Sequence, residues 1–120
     1  MSKPKVLLAE DDYTMVSLLQ TLLKMEGYTV ISLDADADVI EAVRKEQPDV
    51  LLMDVHLFGK NGLDILRTLR ESADIGNVRV LMSSGSNVKE DCLNLGADGF
   101  LMKPYMPDDL FSQLRQVLTV

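Results

Sequence analysis

Short apolar runs alternate with amphipathic stretches along the whole chain. Five runs are rich in aliphatic, β-branched or aromatic residues: 5–9, 28–33, 50–54, 79–83 and 99–102. The run at 50–54 has four apolar residues in succession and ends on Asp54. Such a run indicates a strand that is buried on both faces, as in a parallel sheet covered by helices. These runs therefore predict five strands.

The intervening stretches have the spacing of helices. The first has apolar residues at i, i+3, i+4, i+7 and i+8, which predicts one buried stripe and a helix that ends at Gly27; these are Met15, Leu18, Leu19, Leu22 and Leu23. Four more helices are predicted around 39–43, 63–69, 88–95 and 110–118. The segment 34–38 carries aspartates that can cap the second helix, which must stop before Pro48.

Strict alternation of strand and helix predicts an α/β fold with right-handed crossovers. Five units in 120 residues match the flavodoxin-like, doubly wound arrangement, a five-stranded parallel sheet of order 2-1-3-4-5 with helices on both faces. The length suits one domain over 1–120, either complete or excised from a longer protein.

Composition narrows the class of protein. Hydrophobic residues make up 47% and charged residues 26%, which are ordinary globular values, and no apolar run could span a bilayer. Residues 1–5 lack the apolar core of a signal peptide, so a soluble, cytoplasmic protein is expected. The net charge of −7 argues against direct binding to nucleic acid. The single Cys92 cannot form an internal disulfide and is predicted to be a packed thiol.

Acidic residues follow the two strands that flank the switch point of this topology. Glu10 and Asp11 come after the first strand and Asp54 ends the third. Ligands of such sheets bind at these carboxyl ends. Carboxylates this close repel one another unless a cation offsets their charge, and oxygen ligands without a His or Cys cluster suit Mg²⁺ better than zinc.

Two further strand ends add a hydroxyl and an ammonium to the same edge. Ser84 follows the fourth strand and Lys103 follows the fifth. Together with the acids these groups suit phosphoryl transfer, in which catalysis is positioning plus charge stabilisation. Asp54, alone at the end of the central strand, is the best candidate nucleophile and would form an aspartyl phosphate.

Four blocks of the chain resemble the receiver domains of bacterial two-component response regulators. They are 7–12, 50–54, 80–85 and 96–105, and they occur in order and with compatible spacing over essentially the whole chain. The resemblance implies that Asp54 accepts phosphate from a sensor histidine kinase or a phosphotransfer protein. It also implies that Glu10, Asp11, Asp54 and the backbone carbonyl of His56 hold Mg²⁺.

The same resemblance implies a switch. Ser84 would hydrogen-bond the phosphoryl group, Lys103 would pair with it, Phe100 would be the aromatic switch residue, and the Lys103-Pro104 peptide would be cis. Phosphorylation would bias a surface formed by the fourth helix, fifth strand and fifth helix, which would bind an effector domain or protein, or a second copy of the chain. Neither a membrane nor nucleic acid is an expected partner. Such a domain is not a conventional enzyme but catalyses its own phosphorylation and dephosphorylation at Asp54.

Several residues depart from the family pattern or have simpler explanations. Phe58 stands where proline is usual, Asn61 where aspartate is frequent, and Ser84 replaces the more frequent threonine. Asp12 is better explained as a helix cap than as a metal ligand. The His56 ring is better explained as solvated than as a catalytic base.

Three other functions compete with the phosphorylated receiver. A pseudo-receiver would have the same fold and bind proteins without a phosphate switch. A Mg²⁺-dependent phosphohydrolase that forms an aspartyl phosphate commonly needs an acid two residues after the nucleophile and a cap domain, but this chain has His56 there and no room for a cap. A flavin-binding domain would need a phosphate-cradling loop rich in Ser, Thr and Gly after the first strand, where this chain has acidic residues.

Overall fold

The computed structural model describes residues 4–34 and 36–119. Five strands form a parallel sheet: β1 (Lys5–Ala9), β2 (Thr29–Ser32), β3 (Val50–Asp54), β6 (Arg79–Ser84) and β7 (Gly99–Met102). Two short strands, β4 (His56–Leu57) and β5 (Lys60–Asn61), form a separate antiparallel hairpin. The order in the main sheet is β2-β1-β3-β6-β7. This order confirms the predicted 2-1-3-4-5 arrangement, because β6 and β7 are the fourth and fifth strands of the main sheet.

Four helices connect these strands and a fifth follows the last of them: α1 (Tyr13–Met25), α2 (Val39–Glu46), α3 (Gly62–Glu71), α4 (Lys89–Asn94) and α5 (Pro107–Thr119). Side-chain oxygens of Asp12, Asp38 and Asn61 accept hydrogen bonds from backbone amides in the first turns of α1, α2 and α3. These bonds satisfy amides that have no partner within the helix, so the polar residues between the elements fix where each helix begins. In the predicted capping segment 34–38, Ala35 lies outside the described residues, as do Met1 to Lys3 and Val120.

The sheet is buried on both faces. Alternate side chains of each strand point to opposite sides, and helices cover each side. In β3, Leu51 and Met53 pack into a cluster with α2, α3 and α4, whereas Val50 and Leu52 pack into a second cluster with α1 and α5. This arrangement explains why the central strand is apolar at each successive position. Cys92 of α4 is buried in the first cluster, as predicted, and burial raises the pKa of its thiol, with Asp91 adding to the shift.

The structure corrects three details of the sequence prediction. Leu18 was expected in the buried stripe of α1 but is 52% exposed, because it lies about 100° around the helix from the buried Leu19. The strand expected over 28–33 is shorter, at Thr29–Ser32. The segment after Asp54, expected to be a loop, contains the β4–β5 hairpin.

Within residues 4–34 and 36–119, no helix combines the length and apolar content needed to cross a bilayer.

Candidate functional site

Three carboxylates meet at the carboxyl edge of the sheet, at the junction between β1 and β3. Ala9 pairs with Met53 in the parallel ladder, so Glu10 and Asp54, the next residues of each strand path, emerge side by side. One carboxylate oxygen from each of Glu10, Asp11 and Asp54 lies within 4.8 Å of the other two. The three predicted acids are therefore together, although they come from segments more than 40 positions apart in the chain.

Lys103 brings a positive charge into this cluster. Its ammonium group donates a hydrogen bond to Asp54 Oδ2 at 2.8 Å and another to Glu10 Oε1. Burial alone would lower the pKa of Lys103, but the hydrogen bonds to Asp54 and Glu10 outweigh it and the pKa is raised. The backbone amide of Lys103 also donates to the carbonyl of Ser84 at 2.8 Å, which fastens this loop to the end of β6. The ammonium is therefore charged and held in place at neutral pH.

Glu10 is the most deeply buried acid of the three. Its Oε2 accepts hydrogen bonds from the backbone amides of Asp11 at 3.0 Å and Asp12 at 3.5 Å. Burial raises the pKa of the Glu10 carboxyl, Lys103 lowers it, and the neighbouring Asp54 carboxylate raises it again; the net shift is upward. The ionised form of Glu10 is therefore disfavoured by burial and by repulsion from Asp54, and a further cation in the site would stabilise it.

Asp54 is buried but still reaches solvent, with 9% of its side chain exposed. Its Oδ1 accepts a hydrogen bond from the backbone amide of His56 at 3.3 Å, and its Oδ2 accepts the bond from Lys103. Gly62 lies against its backbone, since a Cβ atom built there would be 2.5 Å from the Asp54 carbonyl oxygen. The absence of a side chain at position 62 therefore allows α3 to begin directly against the end of β3.

The donor set of the cluster fits a hard divalent cation. Three carboxylates and one ammonium leave a net charge of two negative units when all are ionised. Every candidate side-chain ligand is an oxygen, which is the preference of Mg²⁺ and Ca²⁺ and not of zinc. Glu10, Asp11 and Asp54 would hold such an ion, and the expected fourth ligand, the His56 carbonyl, belongs to the adjacent strand β4.

Of the other predicted residues, Ser84 and the Lys103-Pro104 peptide lie at the same edge, and Phe100 lies further back in its strand. Ser84 is fully buried at the end of β6, and its Oγ accepts a hydrogen bond from the Ser86 amide at 3.1 Å. Phe100 is buried in β7, in the core cluster shared with α4. The Lys103-Pro104 peptide bond is cis. The His56 side chain is exposed, in keeping with a solvated ring.

Two contributions to the site were not predicted from the sequence. The phenol of Tyr105 has its pKa raised to about 12, chiefly by burial; Lys103 lowers it, and Glu10 and Asp54 raise it. The side chain of Tyr105 packs against the core cluster shared by α1 and α5, and it lies close enough to Lys103, Glu10 and Asp54 for their charges to act on it. This position follows the end of β7 and has no signal of its own in the sequence. The second contribution is the backbone amide of Phe58, which donates to Asp11 Oδ2 at 3.1 Å and depends on the hairpin.

Comparison with known proteins identifies the family. A family model described as the response regulator receiver domain matches residues 6–115. The chain belongs to this family. The receiver domain is 32% identical over 115 residues to the DNA-binding response regulator MtrA of Mycobacterium tuberculosis, an alignment covering 94% of this chain and 50% of that protein. It is 37% identical to the transcriptional regulatory protein CpxR of Klebsiella pneumoniae, covering 95% of this chain and 49% of that protein. The chain spans about half the length of these curated relatives.

Solved structures agree with this assignment. The receiver domain of a sensor histidine kinase of Pseudomonas aeruginosa PAO1, described with a magnesium ion coordinated in its active-site cleft, superposes with a TM-score of 0.82 at 26% identity, covering 99% of this receiver domain and 100% of that chain. The chemotaxis response regulator CheY4 of Vibrio cholerae superposes with a TM-score of 0.82 at 28% identity, covering 98% and 100%. The flavodoxin-like fold predicted from the alternation of elements is therefore confirmed.

Proposed function

We propose that this receiver domain accepts a phosphoryl group on Asp54 from the phosphohistidine of a sensor histidine kinase or a phosphotransfer protein. A carboxylate oxygen of Asp54 attacks phosphorus, and the phosphorus–nitrogen bond of the donor breaks. The donor ring, protonated on its other nitrogen, leaves as neutral imidazole with the electron pair of that bond. The product is a mixed anhydride on Asp54. In a separate step water attacks its phosphorus, the phosphorus–oxygen bond to Asp54 breaks, and the carboxylate and inorganic phosphate are released. The receiver thus catalyses its own phosphorylation and dephosphorylation and is not a conventional enzyme.

The residues around Asp54 have distinct tasks in this reaction. Glu10, Asp11, Asp54 and the His56 carbonyl would hold Mg²⁺, which when bound neutralises charge on the transferring group. Lys103, already hydrogen-bonded to Asp54 Oδ2, would follow the charge onto a phosphoryl oxygen. Its raised pKa keeps it protonated for that role.

Ser84 and Phe100 would respond to the phosphoryl group. Ser84 would turn its hydroxyl from the Ser86 amide toward a phosphoryl oxygen, and Phe100 in the neighbouring strand would repack with it. The output surface would be formed by α4, β7 and α5, and it would bind an effector domain, an effector protein or a second receiver in the cytoplasm. Helix α4 suits this role because it is short, with six residues, and no side-chain hydrogen bond caps its first turn.

The single observation that supports this proposal is the grouping of three carboxylate oxygens within 4.8 Å of one another, with a lysine ammonium bonded to two of the three side chains. Beryllofluoride, which mimics a phosphoryl group on a carboxylate, tests it. Amide spectra are recorded with beryllofluoride, with and without Mg²⁺, on wild type, Asp54→Asn, and the control Asp108→Asn in the exposed first turn of α5. We expect magnesium-dependent changes around Ser84 and Phe100 in wild type and Asp108→Asn, and none in Asp54→Asn.

A pseudo-receiver would give the opposite result. It has the same fold and interaction surface but no phosphoryl chemistry, so beryllofluoride with Mg²⁺ would leave all three spectra unchanged. That outcome would overturn the proposed function while leaving the family assignment intact.

A further inference from the structure

The β4–β5 hairpin ends in a tight turn with unusual backbone angles. Its two central residues, Phe58 and Gly59, have φ values of 50° and 76°. Two successive positive φ angles are the requirement of a type I′ turn, one of the two types that most often close two-residue hairpins. Glycine adopts this conformation freely, but phenylalanine does so at an energetic cost. Contacts around the hairpin must therefore hold the backbone of Phe58 in the left-handed conformation.

The surroundings of Phe58 supply that constraint. Its side chain is half-buried and packs against the core cluster shared by α2, α3 and α4. The flanking residues Leu57 and Lys60 pair across the hairpin, and Leu57 is buried. The ring therefore anchors the turn to the core while the backbone of the turn faces the acidic cluster.

The amide of Phe58 contacts that cluster directly. It donates to Asp11 Oδ2 at 3.1 Å, across 47 positions of sequence. Asp11 is exposed, and within residues 4–34 and 36–119 this is the only hydrogen bond that its side chain makes. By contrast, Glu10 is held by Lys103 and by two amides, and Asp54 by Lys103 and the His56 amide. Asp11 is thus the least restrained of the three carboxylates.

We propose that Phe58 is a positioning residue for the metal site, holding Asp11 through its backbone amide in the left-handed conformation. This inference rests on the proposed magnesium site. The amide donates to Oδ2 and leaves Oδ1 of Asp11 available as a metal ligand. Groups that hydrogen-bond a metal ligand from behind commonly orient it in this way. An exposed carboxylate without this bond would sample other rotamers and would have to be ordered again on each binding event.

Substitutions at position 58 distinguish the effect of its backbone amide from the effect of its side chain. Phe58→Pro removes the N–H and cannot adopt a positive φ, so it eliminates the bond to Asp11. Phe58→Asn keeps the N–H and is a favoured residue in type I′ turns, so it retains the bond while losing the ring. As a second disrupting variant, Gly59→Val keeps all the hydrogen-bonding groups but strains the turn, because a β-branched residue disfavours φ near 76°.

The test is a titration with Mg²⁺ alone, followed by amide and side-chain carboxyl carbon spectra of the metal-free and loaded protein. We expect Phe58→Pro to raise the magnesium Kd about tenfold, Gly59→Val to raise it in the same direction, and Phe58→Asn to stay within about twofold of wild type. In the metal-free protein, Phe58→Pro should shift the carboxyl carbon resonance of Asp11 and leave that of Glu10 unchanged.

The outcomes distinguish this inference from the proposed function. If wild type does not bind Mg²⁺, both fail. If wild type binds it but Phe58→Pro and Gly59→Val bind equally well, or more tightly because the amide competes with the metal, only the positioning role of Phe58 is overturned. A loss in Phe58→Asn as large as in Phe58→Pro would assign the effect to the ring and would also overturn it. If Phe58→Pro does not fold, Gly59→Val and Phe58→Asn decide the question.

Discussion

Replacing Lys103 with methionine tests how much the lysine charge stabilises the acidic cluster when no metal is bound. Methionine keeps most of the aliphatic length of lysine but cannot donate a hydrogen bond. In Lys103→Met, the buried Glu10 and Asp54 carboxylates would lose the ammonium that contacts both. The fold should then become less stable, to an extent that depends on pH and on magnesium.

The size of the effect follows from the contacts. A hydrogen bond to a charged group contributes about 1.5–3 kcal/mol, and Lys103 makes two of them with only 21% of its side chain exposed. The loss cannot reach the full sum, because Glu10 in the variant can relieve the repulsion by taking up a proton. We therefore expect Lys103→Met to lower the free energy of unfolding by about 3 kcal/mol at pH 8 without magnesium.

The pH dependence has a definite sign. The pKa of Glu10 in the folded protein is already raised above its unfolded value, chiefly by burial, and removing Lys103 should raise it further. A carboxyl with a raised folded pKa binds more protons in the folded state, so stability falls as pH rises from the unfolded pKa through the folded one. The deficit of Lys103→Met should therefore be larger at pH 8 than at pH 5.

Urea unfolding followed by circular dichroism, at pH 5 and pH 8 with EDTA or Mg²⁺, measures these differences. The exposed Lys89→Met in α4 is the matched control and should change stability by less than about 0.5 kcal/mol. Magnesium should stabilise Lys103→Met more than wild type, because the variant cluster carries one more negative charge. A Lys103→Met protein as stable as the control at pH 8, or with the same deficit at both pH values, would show that Lys103 does not hold the two carboxylates together.

Two further predictions concern groups that shape the site. Gly62→Ala should destabilise the fold by about 2 kcal/mol and slow modification of Asp54, because the new Cβ atom would meet the Asp54 carbonyl at 2.5 Å; urea unfolding and beryllofluoride titration measure both effects, and a variant equal to wild type would contradict the close approach. Tyr105→Phe should remove the tyrosine ionisation step near pH 12 from an alkaline absorbance titration, because burial raises that phenol's pKa to about 12; a step that persists in the variant would belong to another tyrosine.

The main sheet and the grouping of its three acids could be predicted from sequence, because short-range patterns mark the strands and the order of a doubly wound sheet brings two strand ends together. The apolar run at β3 indicated burial on both faces, and its abrupt end located Asp54 at the sheet edge. Topology then placed Glu10 and Asp11 beside it, since the order of a doubly wound sheet puts the ends of β1 and β3 together. No pairwise contact had to be known for that inference.

The details that were missed depend on contacts between distant segments. The turn at Phe58 has no Asn-Gly or Asp-Gly signature, so neither the positive φ at Phe58 nor the amide contact with Asp11 could be anticipated. Leu18 fits the apolar pattern of α1, yet its exposure is set by where α1 lies on the sheet. The bridging of Glu10 and Asp54 by one ammonium likewise required the full three-dimensional path to Lys103.

The most direct test of the central claim is the intact mass of the domain after incubation with acetyl phosphate and Mg²⁺. Transfer breaks the bond between phosphorus and the acetate oxygen and leaves the phosphoryl group on a carboxylate oxygen of the protein. Wild type should gain one phosphoryl group, mapped to Asp54, and no group should be added in the presence of EDTA or in Asp54→Asn. A wild-type mass that stays unchanged with magnesium present, or a phosphoryl group that maps to another residue, would contradict it.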